Sequence, residues 1–497
     1  IIEGIKGMFE NVDPYTKLLV ETSKENADEL RTGKYGGIGI QMGLVRDSLT
    51  VLTVFDNTPA SQVGLNIGDY IVKIDSTLSK GLSVKECSKI IKGNVGTDVI
   101  LHIYRPSSNE RFEFTLRRDK IDLKKVPYWG IDENNIGYIK LTRFVKNSDK
   151  DFKNALLELN KQNIDGLVID LRSNPGGLLN VSYNILEYLV VRGEELFYQK
   201  GRTNRSNKEY KSRKKPIIDD EIPIVVLVNK NSASASEIVS GTLQDLDRAI
   251  IIGEKTFGKG LVQHIYDLND STSLKITTAK YYLPSGRIIQ KQDYLNNGFL
   301  TDGLDKSDST FTTKNGRIVK GGDGIIPDIT IQSSTKNSYI RALLKERVFI
   351  SFATNYVPKN SSIQLPINID DKIVKDFKEF LDTYELKYTL EGEKEYNEMI
   401  EELSESSISI HPISKHITYE SNSNIEFLDK YFKYLKSIQF YLPENQEIIK
   451  IELLSELSKI LGGEKEKIRV NILYDPVYSG AVDILLDIDS YYKLLNY

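Results

Sequence analysis

Cysteine, histidine and long apolar runs are all scarce in this sequence of 497 residues. Cys87 is the only cysteine and the four histidines are scattered, which excludes a disulfide framework and a Cys/His zinc cluster. The longest apolar runs, such as Ile222 to Val228, are far shorter than the roughly 18 residues that a bilayer span needs. The formal net charge is only −4, with 66 basic and 70 acidic residues, so a dedicated nucleic-acid or polyanion binder is disfavoured.

The chain begins at Ile1 rather than at methionine. Its first apolar residues fit one helix face, which Asp13-Pro14 ends. We therefore expect a mature or trimmed start, compatible with removal of a signal peptide or lipid anchor upstream. We expect residues 1–34 to form a helical segment that packs on the core.

Residues 35–118 show short strands and turns with one helix, Ser83 to Ile91. Ahead of the first strand lies the glycine-containing loop Gly36-Gly37-Ile38-Gly39-Ile40, whose backbone N–H groups are suited to binding an anion. This order of features resembles a PDZ domain, in which such a loop binds a terminal carboxylate while the peptide adds as a strand. The alternative is a small β-barrel whose glycines serve only as turns.

Residues 119–333 alternate apolar strands with helices, which predicts an α/β core. The basic stretch from Lys200 to Lys215 lacks a recognition motif and aromatic stacking residues, so we interpret it as a solvated hairpin or loop. After Ser334 long charged helical patterns predict a separate, mainly helical domain over 334–497, with predicted helices from Tyr339 to Tyr356 and from Asn445 to Leu461.

Ser234 lies directly after an apolar strand and before a predicted helix. Ser234 and Glu237 have capping-box spacing, so the serine could simply satisfy the free N–H groups of the helix. A hydroxyl at a helix N-terminus also suits a nucleophile, because the dipole and free N–H groups stabilise developing negative charge. This segment alone does not decide between the two.

The segment Gly253 to Gly260 nearly matches a phosphate-binding loop, but Gly260 replaces the magnesium-binding hydroxyl and a strand follows instead of a helix. An NTPase is therefore disfavoured. Lys259, 25 residues after Ser234, is a candidate general base if burial or nearby positive charge lowers its pKa. His264 is the competing base. Because consecutive side chains of a strand point to opposite faces, His264 does not face the site if Gln263 does.

The run Asp170 to Gly177 is a buried-type strand followed by a glycine turn. It can be an ordinary strand-to-helix loop. Alternatively, the N–H of Gly176 or Gly177 could pair with that of Ala235 as an oxyanion hole for a tetrahedral acyl intermediate.

Together these features resemble the carboxyl-terminal processing (tail-specific) serine proteases over roughly residues 1–333. The collinear motifs are Gly7-Met8 through Asp13-Pro14-Tyr15, the glycine loop at 36–40, Gly64-Leu65 with Gly68-Asp69, Gly137-Tyr138-Ile139, Asp170 to Gly177, Ser232 to Glu237, Gly258-Lys259-Gly260 with Gln263, Tyr282 to Arg287, and Gly324 to Asp328. Each motif is weak alone, and the full ordered set is specific.

The resemblance implies a fold, a mechanism and a setting. The fold is α/β multidomain, a crotonase-like protease core at 119–333 with an inserted PDZ-like domain. The implied catalytic residues are Ser234 as nucleophile, Lys259 as base and Gln263 as the side chain orienting it, with Gly176 or Gly177 and Ala235 as the oxyanion hole.

The resemblance further implies an endopeptidase that binds free C-termini and cleaves near them, without metal or nucleotide cofactor. It implies an extracytoplasmic bacterial location, periplasmic or membrane-anchored on the outer side. We expect no nucleic-acid partner, and the C-terminal domain is a candidate for self-association. The competing hypothesis is a catalytically inactive PDZ-containing binding or scaffold protein.

Overall fold

The computed structural model describes residues 2–10, 12–20, 33–269, 271–291, 309–332, 336–405 and 415–497. It contains two compact units. The first comprises Ile1–Tyr35, Lys120–Ser333 and Ile472–Tyr497, and the second comprises Gly36–Asp119 and Ser334–Asn471. This grouping does not test the predicted four-part division, whose boundaries stay a prediction.

A six-stranded sheet forms the centre of the first unit. Its strands, in spatial order, are Tyr128–Ile131, Ile136–Lys140, Gly166–Asp170, Ile224–Val228, Ile250–Gly253 and Ile329–Thr330. Only the first pair is antiparallel. The two middle strands are buried along their whole length, as is typical of parallel strands covered on both faces. Because parallel strands end at the same sheet edge, the loops after Asp170 and Val228 emerge side by side.

A second, antiparallel sheet completes the strand framework of this unit. It orders Lys17–Val20, Thr272–Tyr282, Glu195–Gly201 and Lys208–Lys211, and Leu261–Asn269 also pairs with Thr272–Tyr282. The basic stretch lies partly in the hairpin formed by the strands Glu195–Gly201 and Lys208–Lys211, as predicted. The remaining strands of the chain outside the second unit's sheet are Lys34–Gly37, Asp119–Asp122, Thr310–Thr312 and Ile318–Lys320.

The helices of the first unit include two from the end of the chain. They are Ile2–Glu10, Ser148–Lys161, Leu179–Leu186, the 3₁₀ turn Asn204–Ser206, Ala235–Asp245, Pro476–Leu486 and Ile488–Leu494. Ala235–Asp245 is buried throughout. The Tyr491 hydroxyl accepts the N–H of Ile224 at 2.9 Å. The end of the chain therefore packs into the core of the first unit.

The second unit begins with a six-stranded antiparallel sheet. Its order is Ile40–Val45, Ser48–Val54, Tyr70–Ile74, Asp98–Arg105 and Glu110–Arg117, with the short strand Thr77–Leu78 on Tyr70–Ile74 and helices Pro59–Gln62 and Val84–Ile91. Ser83 and Glu86 form a capping box that starts the second helix. Ile40–Val45 is the edge strand and packs beside that helix.

The described residues of the rest of the second unit are mainly helical. Its helices are Ser338–Lys345, Val348–Tyr356, the 3₁₀ turn Val357–Lys359, Asp371–Leu381, Glu393–Glu405, Lys415–Ile438, the 3₁₀ turn Gln439–Tyr441 and Pro443–Leu473. A single helix was predicted from Tyr339 to Tyr356, but the structure has two helices there, because Arg347 between them has a left-handed φ of 54°. Within Pro443–Leu473 the backbone of Gly463 is not helical (φ 75°, ψ −172°), so this residue separates two helical stretches, the first of which contains the predicted helix from Asn445 to Leu461.

The sheet and the helices of the second unit pack against each other. The buried Lys459 ammonium donates to Thr53 Oγ1 at 3.0 Å, and the Arg46 guanidinium lies 3.5 Å from the ring centroid of Tyr384. The predicted α/β multidomain class, with a small β domain and a mainly helical region, is confirmed. Across the described ranges, no helix is both long and apolar enough to span a bilayer.

Candidate active site

Two neighbouring loops at the carboxyl edge of the parallel sheet build the site. Asn229 Oδ1 accepts the N–H of Ser173 at 2.8 Å, and the carbonyl oxygen of Asn174 accepts the N–H of Ala233 at 3.1 Å. The glycine turn after Asp170 is thereby fixed to the loop that carries Ser234.

Ser234 occupies a strained position immediately before the helix Ala235–Asp245. Its φ of 56° and ψ of −113° are rare for a residue with a side chain, and such strain clusters at functional sites. Ser234 and Glu237 form the predicted capping box at the start of this helix, in which the Glu237 carboxylate accepts the N–H of Ser234 at 2.8 Å. The serine hydroxyl itself makes no cap hydrogen bond within hydrogen-bond geometry.

Glu237 joins the serine turn to the lysine loop. Its buried carboxylate accepts four hydrogen bonds, two at each oxygen. Oε1 accepts the Thr256 hydroxyl and the Gly258 N–H, both at 2.6 Å. Oε2 accepts the N–H groups of Ser234 at 2.8 Å and Lys259 at 2.9 Å. Burial raises the pKa of Glu237, and these hydrogen bonds oppose the increase. The spacing of Ser234 and Glu237 predicts only a capping role for Glu237, because its contacts with residues 256–259 are not visible in local spacing.

Lys259 has the environment that a neutral lysine requires. Burial, and next the charge of Lys275, lower its pKa to about 8, although the carboxylates of Glu237 and Asp13 partly oppose that shift. Its ammonium lies 4.9 Å from the ring centroid of Tyr15. Within the described part of the chain, no carboxylate forms an ion pair with it.

Gln263 lines the same cavity as Lys259, but no hydrogen bond joins the two side chains in the described structure. The Gln263 Nε2 atom is buried and has no partner among the described residues. His264 is exposed, with Nδ1 2.7 Å from Thr278 Oγ1, so it lies outside the cavity. A register shift between Val262 and Gln263 lets these consecutive residues both line the cavity.

The two glycines of the turn differ in what their N–H groups contact. Gly176 donates its N–H to Asn174 Oδ1 at 2.9 Å. Neither Gly177 nor Ala235 donates its N–H to an acceptor within the described residues. An added Cβ at Gly176 (φ 89°) would lie 2.8 Å from the Ala235 nitrogen and 2.9 Å from Ser234 Cβ, so the turn lies directly against the serine.

All six predicted catalytic residues line one cavity of about 500 Å³, together with mainly apolar side chains. The lining residues are Leu19, Arg143, Pro175, Gly176, Gly177, Leu178, Leu179, Ser234, Ala235, Ile238, Lys259, Leu261, Val262, Gln263, Ile265, Lys275 and Tyr281. The Tyr281 hydroxyl contacts the carbonyl oxygens of Ser234 and Lys259. No group of three or more metal-ligating side chains occurs in the part of the chain that the structure describes.

The predicted peptide-binding residues lie in the second unit. Gly36 and Gly37 end the strand Lys34–Gly37, and Ile40 begins the edge strand Ile40–Val45. The carbonyl oxygens of Ile38 and Gly39 accept the N–H groups of Ala60 and Phe55, both at 2.9 Å. Their own N–H groups have no acceptor in the described ranges.

Comparison with known proteins identifies three matching family profiles. Peptidase family S41 matches residues 135–299, a PDZ domain matches residues 36–116, and the C-terminal helical domain of a probable PDZ-protease matches residues 339–485.

Individual relatives agree with these profiles. A carboxy-terminal-processing protease of Bartonella bacilliformis is 36% identical over 295 residues, 58% of this chain and 67% of that protein. A carboxyl-terminal-processing protease of Synechocystis sp. is 34% identical over 294 residues, 58% of this chain and 68% of that protein. A probable CtpA-like serine protease of Staphylococcus aureus is 29% identical over 436 residues, covering 87% of this chain and 79% of that protein.

Proposed function

The chain belongs to peptidase family S41, the serine-type carboxyl-terminal processing proteases that carry a PDZ domain, and from that premise we propose that Ser234 and Lys259 form its catalytic dyad. The observation that carries the proposal is the pairing of a strained serine with a lysine of lowered pKa in one cavity. The same observation counts against an inactive scaffold.

In the proposed mechanism, neutral Lys259 removes the proton of the Ser234 hydroxyl as its oxygen attacks the scissile carbonyl carbon. The lysine then gives that proton to the leaving amine, which departs and leaves an acyl-enzyme. Neutral Lys259 then deprotonates a water molecule that attacks the acyl carbon, and the lysine returns this proton to the Ser234 oxygen as the ester bond breaks and the acid product leaves. Gln263 is the side chain proposed to orient the lysine, and both residues line the same cavity.

We assign the oxyanion hole to the N–H groups of Gly177 and Ala235. Gly176 is the weaker candidate, since Asn174 Oδ1 already accepts its N–H. Two donors fixed by the backbone stabilise the developing oxyanion without reorganisation during the reaction.

Substitution of the lysine tests the dyad. Lys259→Arg and Lys259→Ala should both abolish peptide cleavage, because a guanidinium keeps its proton at any working pH. Lys255→Arg is the matched control in the same loop: Lys255 pairs with Asp323 at the surface, and arginine preserves that ion pair. Near-normal turnover of Lys259→Arg would show that the lysine is only a structural cation.

We further propose that the PDZ domain binds the substrate's free C-terminus. The unpartnered N–H groups of Ile38 and Gly39, with the loop Gly36, Gly37 and Ile40, are suited to a terminal carboxylate, and the adjacent edge strand can pair with the peptide. Amidation removes the charge and one acceptor, at a cost of about 1–3 kcal/mol. Cleavage of an amidated peptide should fall about ten-fold relative to the free acid.

A glycine substitution tests this domain in the full chain. Gly39→Ala places a methyl group 2.3 Å from Thr58 Cβ at a φ of 85°, which should distort the loop and abolish the preference for the free acid. Gly81→Ala is the matched control, with a φ of 86° and no atom within 4 Å. Equal cleavage of acid and amide by the wild-type chain would rule out terminal-carboxylate recognition.

Location and assembly complete the proposal. We propose an extracytoplasmic site of action in a bacterium, to be tested by cell fractionation, and self-association through the helical region, to be tested by light scattering. A cytoplasmic fraction or a monomer at working concentration would contradict the respective proposal.

A further inference from the structure

The charge of the active-site cavity is one-sided. Its described lining residues include the basic side chains of Arg143, Lys259 and Lys275, and no aspartate or glutamate. Lys259 has an assigned role in the proposed mechanism, whereas Arg143 and Lys275 do not.

Lys275 lies in the strand Thr272–Tyr282, where its position is electrostatically unfavourable. It is half-buried, and its ammonium has no ion pair in the described part of the chain. In the sheet register it stands directly opposite Lys17, and like charges at such cross-strand positions destabilise a sheet. Burial, followed by the charge of Lys17, lowers the pKa of Lys275.

The nearby acid, Asp13, does not neutralise this lysine by a direct ion pair. The buried Asp13 carboxylate accepts the N–H groups of Tyr15 at 2.8 Å and Thr16 at 2.9 Å, and the hydroxyls of Thr16 at 2.6 Å and Thr277 at 3.1 Å. Three of these donors bind Oδ1 and one binds Oδ2, and within the described residues Asp13 forms no ion pair with Lys275. A ligand that brings a negative charge would therefore stabilise this half-buried ammonium, which has no counter-ion within the described residues.

We propose that Lys275, together with Arg143, forms a subsite that binds a substrate carboxylate close to the scissile bond. The carboxylate belongs either to an acidic side chain or to a chain terminus within reach of the cavity. The apolar lining, including Leu178, Leu179 and Ile238, contacts the neighbouring substrate side chains. This inference rests on the proposed function, since the subsite matters only where Ser234 cleaves a peptide.

Matched peptides test the subsite in the full chain. One set consists of amidated, internally quenched peptides that carry Glu or Gln at each of four positions on either side of the bond. A second set consists of neutral peptides that end two residues after the bond as the free acid or the amide. For each pair we measure kcat/KM of the charged peptide divided by kcat/KM of the neutral peptide. A change in the pKa of Lys259 affects both peptides equally and therefore cancels in this ratio.

For wild type we expect a ratio of at least ten at one or more positions of the first set, or for the second set. The set that responds identifies the source of the carboxylate. Lys275→Gln should reduce that ratio to within two-fold of one, and Lys275→Glu should invert it. Lys17→Gln, which removes a charge from the neighbouring strand outside the cavity, should leave it above five. Arg143→Gln should also lower the ratio of charged to neutral peptide. Because Arg143 is exposed, this substitution provides a second variant if the Lys275 variants fold poorly.

Several results would overturn the inference. A wild-type ratio below two in both sets excludes the subsite, and a preference that survives Lys275→Gln assigns acid recognition elsewhere. An equal loss in Lys17→Gln shows a diffuse field instead of a contact. Ser234-dependent cleavage of the neutral peptides without any preference refutes only the subsite, whereas no Ser234-dependent cleavage of any peptide refutes the proposed function and the subsite with it.

Discussion

Replacing Glu237 by glutamine keeps the size of the side chain but removes its charge and half of its acceptors. The carboxylate accepts two hydrogen bonds at each oxygen, and an amide can accept at only one of them. Either Thr256 and Gly258 or Ser234 and Lys259 therefore lose their acceptor.

The size of the effect follows from these bonds. A hydrogen bond to a charged group contributes about 1.5–3 kcal/mol, so losing two costs about 3–6 kcal/mol. Relief of the buried charge, whose cost appears as the raised pKa of Glu237, offsets part of this loss. We expect a net destabilisation of about 3 kcal/mol, which lowers the melting temperature by about 6–12 °C.

Activity should change in a characteristic way. Displacement of the serine turn or the lysine loop should lower kcat/KM by about 100-fold. Because the Glu237 carboxylate raises the pKa of Lys259, its removal should move the inflection of the remaining activity below pH 8.

Calorimetry and a pH series of peptide cleavage measure both effects. Glu254→Gln is the control, since the Glu254 side chain has no hydrogen bond or ion pair within the described residues and lies in the same loop region. A Glu237→Gln protein that melts within 1 °C of wild type and retains its turnover would refute the role of Glu237 in joining the serine turn to the lysine loop.

Three further substitutions test other parts of the account. Ser234→Ala should abolish cleavage while circular dichroism shows an intact fold and a melting temperature close to wild type, because loss of a helix-cap side chain costs only about 1 kcal/mol. Turnover above about a hundredth of wild type contradicts its role. Gly177→Ala should lower both activity and melting temperature, since the methyl group would lie 2.1 Å from the Phe144 oxygen at a φ of 149°; an active, stable variant contradicts this geometry. Asp475→Asn keeps an acceptor for the helix cap but removes the charge that pairs with Arg172 at 2.5 Å. Chemical denaturation should therefore show a free energy of unfolding about 1 kcal/mol lower, and an unchanged midpoint would contradict that contact.

Local signals in the sequence predicted many elements with accurate bounds. The helix predicted from Ser83 to Ile91 is Val84–Ile91, because the capping box of Ser83 and Glu86 sets its start. The helix predicted to follow Ser234 begins at Ala235. Periodicity and turn residues are sufficient for such elements because their limits depend on neighbouring residues.

Long-range packing was not accessible to the same reasoning. The sequence pattern gives no sign that 472–497 group with the first unit, where Asp475 pairs with Arg172. Glu237 was recognised only by its spacing from Ser234, because its bonds to Thr256, Gly258 and Lys259 connect residues about twenty positions away. Neither contact produces a periodic pattern.

The central claim is that Ser234 attacks and that Lys259 must be neutral for it to do so. Labelling the full chain with a fluorophosphonate at a series of pH values, followed by peptide mass spectrometry, tests both parts in one measurement. We predict a single adduct on Ser234 whose rate of formation rises with pH through an inflection near 8 and is lost in Lys259→Arg. An adduct on another residue, or labelling of Ser234 that is equally fast in Lys259→Arg, would contradict the dyad.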